Sequence, residues 1–147
     1  MLDRQEIEKN LLNSHGVFEY TVDGGSLIAP AYKYTYFLDM GDRTTAILLG
    51  RGADNTIRET GVYLDFKYGR EFWGDDVSIG GDVEATYFYL GERWEGKAGS
   101  VTGIVNVYQK AAYIEFDFVA HRNSLSKHIK GYCILEANNA SLSGGSV

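Results

Sequence analysis

The chain has 147 residues, 44% of them hydrophobic and 23% charged, with a formal net charge of −6 and a pI near 5.0. That is the size of one soluble domain, large enough to bury a core without a metal or disulfide staple. The acidic balance argues against a nucleic-acid-binding surface, the single Cys133 excludes an internal disulfide, and no apolar run approaches the ~20 residues of a membrane-spanning helix.

Glycine is abundant at 18 residues, Pro30 is the only proline, and aromatics reach 14% with 11 Tyr. Strands favour aromatic and β-branched residues, while glycine serves turns and bulges. The composition therefore points to an all-β fold. At the N-terminus, MLDRQEIEKN lacks the apolar core of a secretory signal, so a cytoplasmic location is expected. Asp3 and Glu6 have capping-box spacing, and Leu2, Ile7, Leu11 and Leu12 form a loose apolar stripe. With Gly16 as the stop, a helix is predicted over 1–15, packed on one end or face of a β structure.

From Val17 onward the pattern is that of strands: 17–22, 31–38, 45–50, 61–68, 84–91, 99–108, 111–120 and 127–136, with a short piece at 77–80. Glycine turns such as Asp23-Gly24-Gly25 and Gly80-Gly81-Asp82 separate them. Short strands punctuated in this way predict a single domain over 1–137, an antiparallel barrel or curled sandwich, with 138–147 as a polar tail. A helix followed by about eight strands resembles lipocalin-like barrels in architecture, although the first strand, GVFEYTV, lacks their G-x-W signature. The resemblance stops at architecture and implies no function.

The last three strands can be placed in register. A hairpin turning at Gln109-Lys110 sets Val107 against Ala112, Val105 against Ile114, Gly103 against Phe116 and Val101 against Phe118. Pairing 120 with 127, across a loop from His121 to Ser126, sets Phe118 against Ile129, Phe116 against Gly131 and Ile114 against Cys133. All of these are apolar or glycine, and a slip of one residue would break the set. Phe116 is thereby expected to cover Gly103 and Gly131. The strand 85–90 carries large apolar groups on both faces, so both faces are expected to be covered.

The outer face of the same strands collects Glu115, Asp117 and His128, with Lys130 opposite Asp117 and His121 where the chain leaves the sheet. The plain reading is a solvated face with a cross-strand ion pair; the sharper one is a carboxylate–histidine site. Asp75, Asp76 and Asp82 read as turns flanking a short strand, with calcium binding as the alternative. GRGADNTIRETG lacks the Lys-Ser/Thr of a phosphate loop and reads as a mobile loop, whose length and mixed charge make it a candidate binding edge. Neither a catalytic motif nor metal-ligand spacing is present, and no cofactor is called for.

The expected function is a non-catalytic binding module. In one form Tyr32, Tyr34, Tyr36, Tyr87 and Tyr89 line a barrel cavity for a small molecule, joined by Trp73 and Trp94 from loops. In the other, strand 84–91 and Trp94 meet a protein partner or a second copy in a homodimer. An enzyme using carboxylate and tyrosine groups ranks last.

Overall fold

The structure is a computed structural model and describes residues 12–39, 44–52, 59–67 and 71–137. Nine antiparallel strands occupy them: β1 Leu12–Val22, β2 Tyr32–Asp39, β3 Thr44–Arg51, β4 Gly61–Phe66, β5 Glu71–Ser78, β6 Val83–Tyr89, β7 Glu92–Asn106, β8 Ala111–Arg122 and β9 Leu125–Ala137. They pair in the order β5-β7-β6-β4-β3-β2-β1-β9-β8, and β7 pairs with β8 as well. That pairing turns the sheet back on itself, which removes most of its edge. Of the two architectures expected, the chain adopts the barrel, nearly closed. The long β7 makes this possible. Along one edge it meets β6 through Glu92–Glu95 and β5 through Glu71–Ser78, and along the other it meets β8. The thinnest seam is β1–β2, paired at Leu12–Thr35 and Asn13–Tyr34. The β1–β2 connection fills part of it, where Tyr20 and Ile28 exchange backbone hydrogen bonds of 2.9 and 2.7 Å.

No helix occurs among the described residues, and none there is long and apolar enough to cross a membrane. Residues 1–11 of the predicted helix, and the tail 138–147, lie outside the described residues. The end of that helix is corrected: 12–15 are strand, and β1 pairs with β9 from Ser14–Ala137 onward. Gly16 is not a helix stop but a strand residue at φ +129. A Cβ there would stand 1.9 Å from the Ile134 carbonyl oxygen. The open edge of β9 supplies backbone partners that a weak amphipathic stripe does not.

Two further loops are corrected to strand. EFWGDD belongs to β5, and GERWEGKAG to the first half of β7. Both escape a period-two reading because bulges interrupt them, between Gly74 and Val77 and between Gly96 and Ala98. The loop His121 to Ser126 is also shorter than expected. Arg122 pairs with Leu125 around a two-residue turn in which Asn123 takes φ +56, and His121 remains in β8.

Strands β8 and β9 meet in the register expected, with Phe118 opposite Ile129, Phe116 opposite Gly131 and Ile114 opposite Cys133. The β7–β8 pairing differs by two residues: Val105 faces Ala112, Gly103 faces Ile114, Val101 faces Phe116 and Gly99 faces Phe118. A wider turn causes the shift. Asn106 pairs with Ala111, so the connection is 107–110; Lys110 sits at φ +54, and the Gln109 N–H donates to Asn106 Oδ1 at 3.0 Å. Because the shift is even, every side chain keeps its face. Phe116 therefore stands opposite Gly131, with Val101 in the place expected for Gly103.

Side chains fill the inside. Phe18, Tyr20, Phe66, Phe72, Tyr87, Trp94, Phe116 and Phe118 form one cluster with Leu48, Leu64, Ile114 and Ile129. Phe18 and Phe116 have ring centroids 5.8 Å apart, and Phe66 and Phe72 are 5.1 Å apart. Cys133 is buried here, and burial pushes its thiol up to about 12. It is expected to resist a thiol-specific disulfide reagent in the native protein and to react once denaturant unfolds the chain.

Strands β3, β4 and β6 are buried on both faces. Outside the barrel, Ile47, Leu49, Thr86 and Phe88 are as hidden as the interior residues, as the doubly apolar pattern of 85–90 implied. Asp65 shares this outer layer, and its Oδ1 has no hydrogen-bond partner. Burial lifts its carboxyl to about 6, against the pull of Lys67 and with help from Glu84. A carboxyl raised on folding costs nothing below its unfolded value. The cost grows as pH rises toward 6 and is constant above it. Asp65→Asn is expected to match the parent protein near pH 4 and to exceed it by about 3 kcal/mol at pH 7, measured by urea denaturation.

Candidate binding face

The outer surface of β5, β7, β8, β9 and β1 is open. Cross-strand registers set five residues side by side on it: Trp73 opposite Ile104, Ile104 opposite Tyr113, Tyr113 opposite Ile134, and Ile134 opposite Val17. Each is exposed, by 76, 42, 45, 44 and 37% in strand order from Trp73 to Val17. Alternation along each strand requires this. Their neighbours Phe72, Val105, Ala112, Ile114, Cys133, Leu135 and Phe18 point into the core, so these five point out. With strands about 4.8 Å apart, the row runs about 19 Å around the barrel. Isolated exposed apolar residues are ordinary, whereas a contiguous row across five strands marks an interaction surface.

Polar rows border it on both sides. On one side are Asn106, Ala111, Glu136 and His15, the last two 3.8 Å apart. On the other are the Asp75–Asp76 bulge, Thr102, Glu115, Tyr132 and Glu19. The Tyr113 hydroxyl ties that second row to the apolar one by donating to Glu115 at 3.3 Å, and within the second row Tyr132 donates to Glu19 at 3.1 Å. Those carboxylates push both phenols up, Glu115 acting on Tyr113 and Glu19 on Tyr132. Beyond lies a shallow groove of about 450 Å³ lined by Asp76, Ser100, Thr102, Asp117, Lys130 and Tyr132, among others. The bulge shapes its rim. Asp76 stands at φ +56, donates its N–H to Thr102 Oγ1 at 2.8 Å, and accepts from Ser100 Oγ at 2.6 Å.

The sequence pointed to several of these groups. Asp117 does face Lys130 in register, but its carboxylate engages His128 Nε2, 2.5 Å away. His121 stands apart, opposite Ser126. Among the described residues no group of three His, Cys, Asp or Glu could hold a metal. Asp75 and Asp76 accept protein hydroxyls, and Asp82 lies in the β5–β6 turn, where its carbonyl accepts the Lys67 N–H at 2.7 Å. Arg51, in the GRGADNTIRETG segment, is buried against Glu59 at 3.2 Å.

The seven predicted ligand-binding residues fall in separate places. Tyr87 packs inside the barrel opposite Trp94, which is buried in β7 rather than displayed on a loop. Burial is the main cause that raises the Tyr87 hydroxyl. Tyr89 is exposed at the barrel end, where Lys127 Nζ lies 5.7 Å from its ring and 5.2 Å from that of Trp94. Tyr32 and Tyr34 stack at 6.5 Å outside β2, with the Arg51 guanidinium 4.8 Å from the Tyr34 ring, and Tyr36 is half-buried beside them. Trp73 alone joins the open face. Sequence reasoning missed Ile104, Tyr113, Ile134 and Val17. The signal was present as the alternate positions of strands already placed in register, once Trp73 is added to a strand of its own. No protein-family model, curated protein or solved structure matches the chain.

Proposed function

We propose that the protein is a non-catalytic binding module that engages a protein partner through the outer face of β5, β7, β8, β9 and β1. The observation that carries this reading is the exposed row Trp73–Ile104–Tyr113–Ile134–Val17. Folding gains little from leaving such groups in water, at roughly 25 cal/mol lost per Å² of apolar surface left exposed. A partner that covers them recovers that free energy. An anchor such as Trp73, flanked by smaller apolar groups and a polar rim, is the usual composition of an interface centre. The aromatic cluster packed inside the barrel among the described residues favours binding outside the barrel over binding within it. A second reading uses the adjacent groove, whose Ser100, Thr102, Lys130 and Tyr132 would orient a small polar ligand.

The test is the native size of the protein in extracts of the cells that make it. The parent chain is expected to sediment in a complex larger than itself. Trp73→Ser with Ile134→Asp should return it to the monomer position, whereas Leu27→Ser, exposed in the β1–β2 connection and outside the row, should not. Sedimentation of the parent as a free monomer would reject the protein-partner reading.

A further inference from the structure

We infer that the occupant of this face is a basic, apolar-rich segment of the partner that crosses the strands along the row. The inference rests on the proposed binding role and adds the chemistry of what binds. The two rows next to the apolar one carry Glu19, Glu115, Glu136, Asp75 and Asp76, with His15 the basic side chain among their described members. Among the described residues the next cations are Lys110, beside Ala111 in the β7–β8 turn, and Lys130 and His128, one and two positions beyond the other margin, with His128 engaged with Asp117.

The apolar row therefore has on one side an acidic margin of Glu19, Glu115, Asp75 and Asp76, and on the other a margin where Glu136 stands beside His15, each about 7 Å away at two residues along a strand. An anionic membrane or nucleic acid is repelled by such a surface. A second copy is disfavoured too. Face-to-face packing about a two-fold axis along the strands lays the acidic margin on its own copy, and an axis along the row lays it on the Glu136–His15 margin, which offers it a single histidine. The complementary occupant places apolar side chains on Trp73, Tyr113 and Ile134 and Lys or Arg over Glu115, Glu19 and Glu136. Because the row follows the curved outside of a barrel, a flexible segment that orders on binding fits it better than a rigid flat surface.

Two synthetic peptides of equal length, one alternating Leu with Lys and one alternating Leu with Glu, test this directly on the intact protein. The readout is iodide quenching of tryptophan, which reports Trp73 because Trp94 is buried. The Lys peptide is expected to protect Trp73, to bind about tenfold or more tightly than the Glu peptide, and to weaken as salt is raised. Glu19→Lys with Glu115→Lys should reverse the preference; Glu19→Gln with Glu115→Gln, a milder change, should narrow it. Equal protection by both peptides overturns the charge assignment but leaves the face as a docking surface. Binding of the Lys peptide that leaves Trp73 quenchable, or that survives Ile134→Asp, overturns both. A dimer in sedimentation velocity that Ile134→Asp dissolves would replace the basic segment with a second copy and overturn the inference.

Discussion

Gly103→Ala is expected to lower stability by about 3 kcal/mol or more, a large share of the roughly 5–15 kcal/mol that holds a domain folded. Gly103 lies in β7 between Gly74 of β5 and Ile114 of β8, and its φ is +147. Only glycine adopts that backbone without strain. A Cβ would also stand 1.9 Å from the Tyr113 carbonyl oxygen, an atom held in the sheet that cannot move aside. Strain and clash thus act together at the strand that closes the barrel. Gly81→Ala is the matched control, because nothing lies within 4 Å of its added carbon and its φ is unexceptional. It should change stability by less than about 0.5 kcal/mol. Urea denaturation of the two variants beside the parent gives the comparison.

Arg51→Leu is expected to cost about 3 kcal/mol, because it takes a cation away from the buried Glu59 carboxylate that it meets at 3.2 Å. The Arg51 and Glu59 side chains are almost entirely hidden, 3.2 Å apart, and they flank the connection from β3 to β4. Arg51 also lies over the ring of Tyr34, so the substitution removes packing as well as charge. Arg51→Leu combined with Glu59→Leu should recover much of the loss, since a buried ion pair is seldom better than apolar groups of similar volume. A double variant as unstable as the sum of the two single ones would show that the pair stabilises only through separate contacts.

Much of the barrel was legible in the sequence because its strands alternate cleanly where one face is wet. In β8, Ile114, Phe116 and Phe118 alternate with Tyr113, Glu115 and Asp117, and this fixed both faces and the β8–β9 register. The β7–β8 register was out by two because the apolar pattern is unchanged by an even shift, so only turn chemistry could decide it. That chemistry lay in Asn106 and Lys110, not in the Gln109-Lys110 pair. Strand β5 was illegible for a different reason. Its Asp75–Asp76 bulge breaks the alternation, and glycine with aspartate reads as a turn.

The binding face depended on that missing strand. With Trp73 on a loop, the remaining four residues look like scattered surface groups. With Trp73 on β5, they become a continuous row. Conversely, Tyr32, Tyr34 and Tyr36 alternated as a barrel lining should. The structure places them outside, however, because Phe37 of the same strand packs on the interior. Period two gives the two faces of a strand but not which one is inner when both carry rings.

The most direct test of the docking face is site-resolved photo-crosslinking from p-benzoylphenylalanine at Tyr113, in the centre of the row, and at Leu27, in the β1–β2 connection. In the native cell the probe at 113 should give one defined adduct that Ile134→Asp abolishes, while the probe at 27 should give none. The same adduct from both positions, or an adduct at 113 that is indifferent to Ile134→Asp, would contradict a docking role for this face.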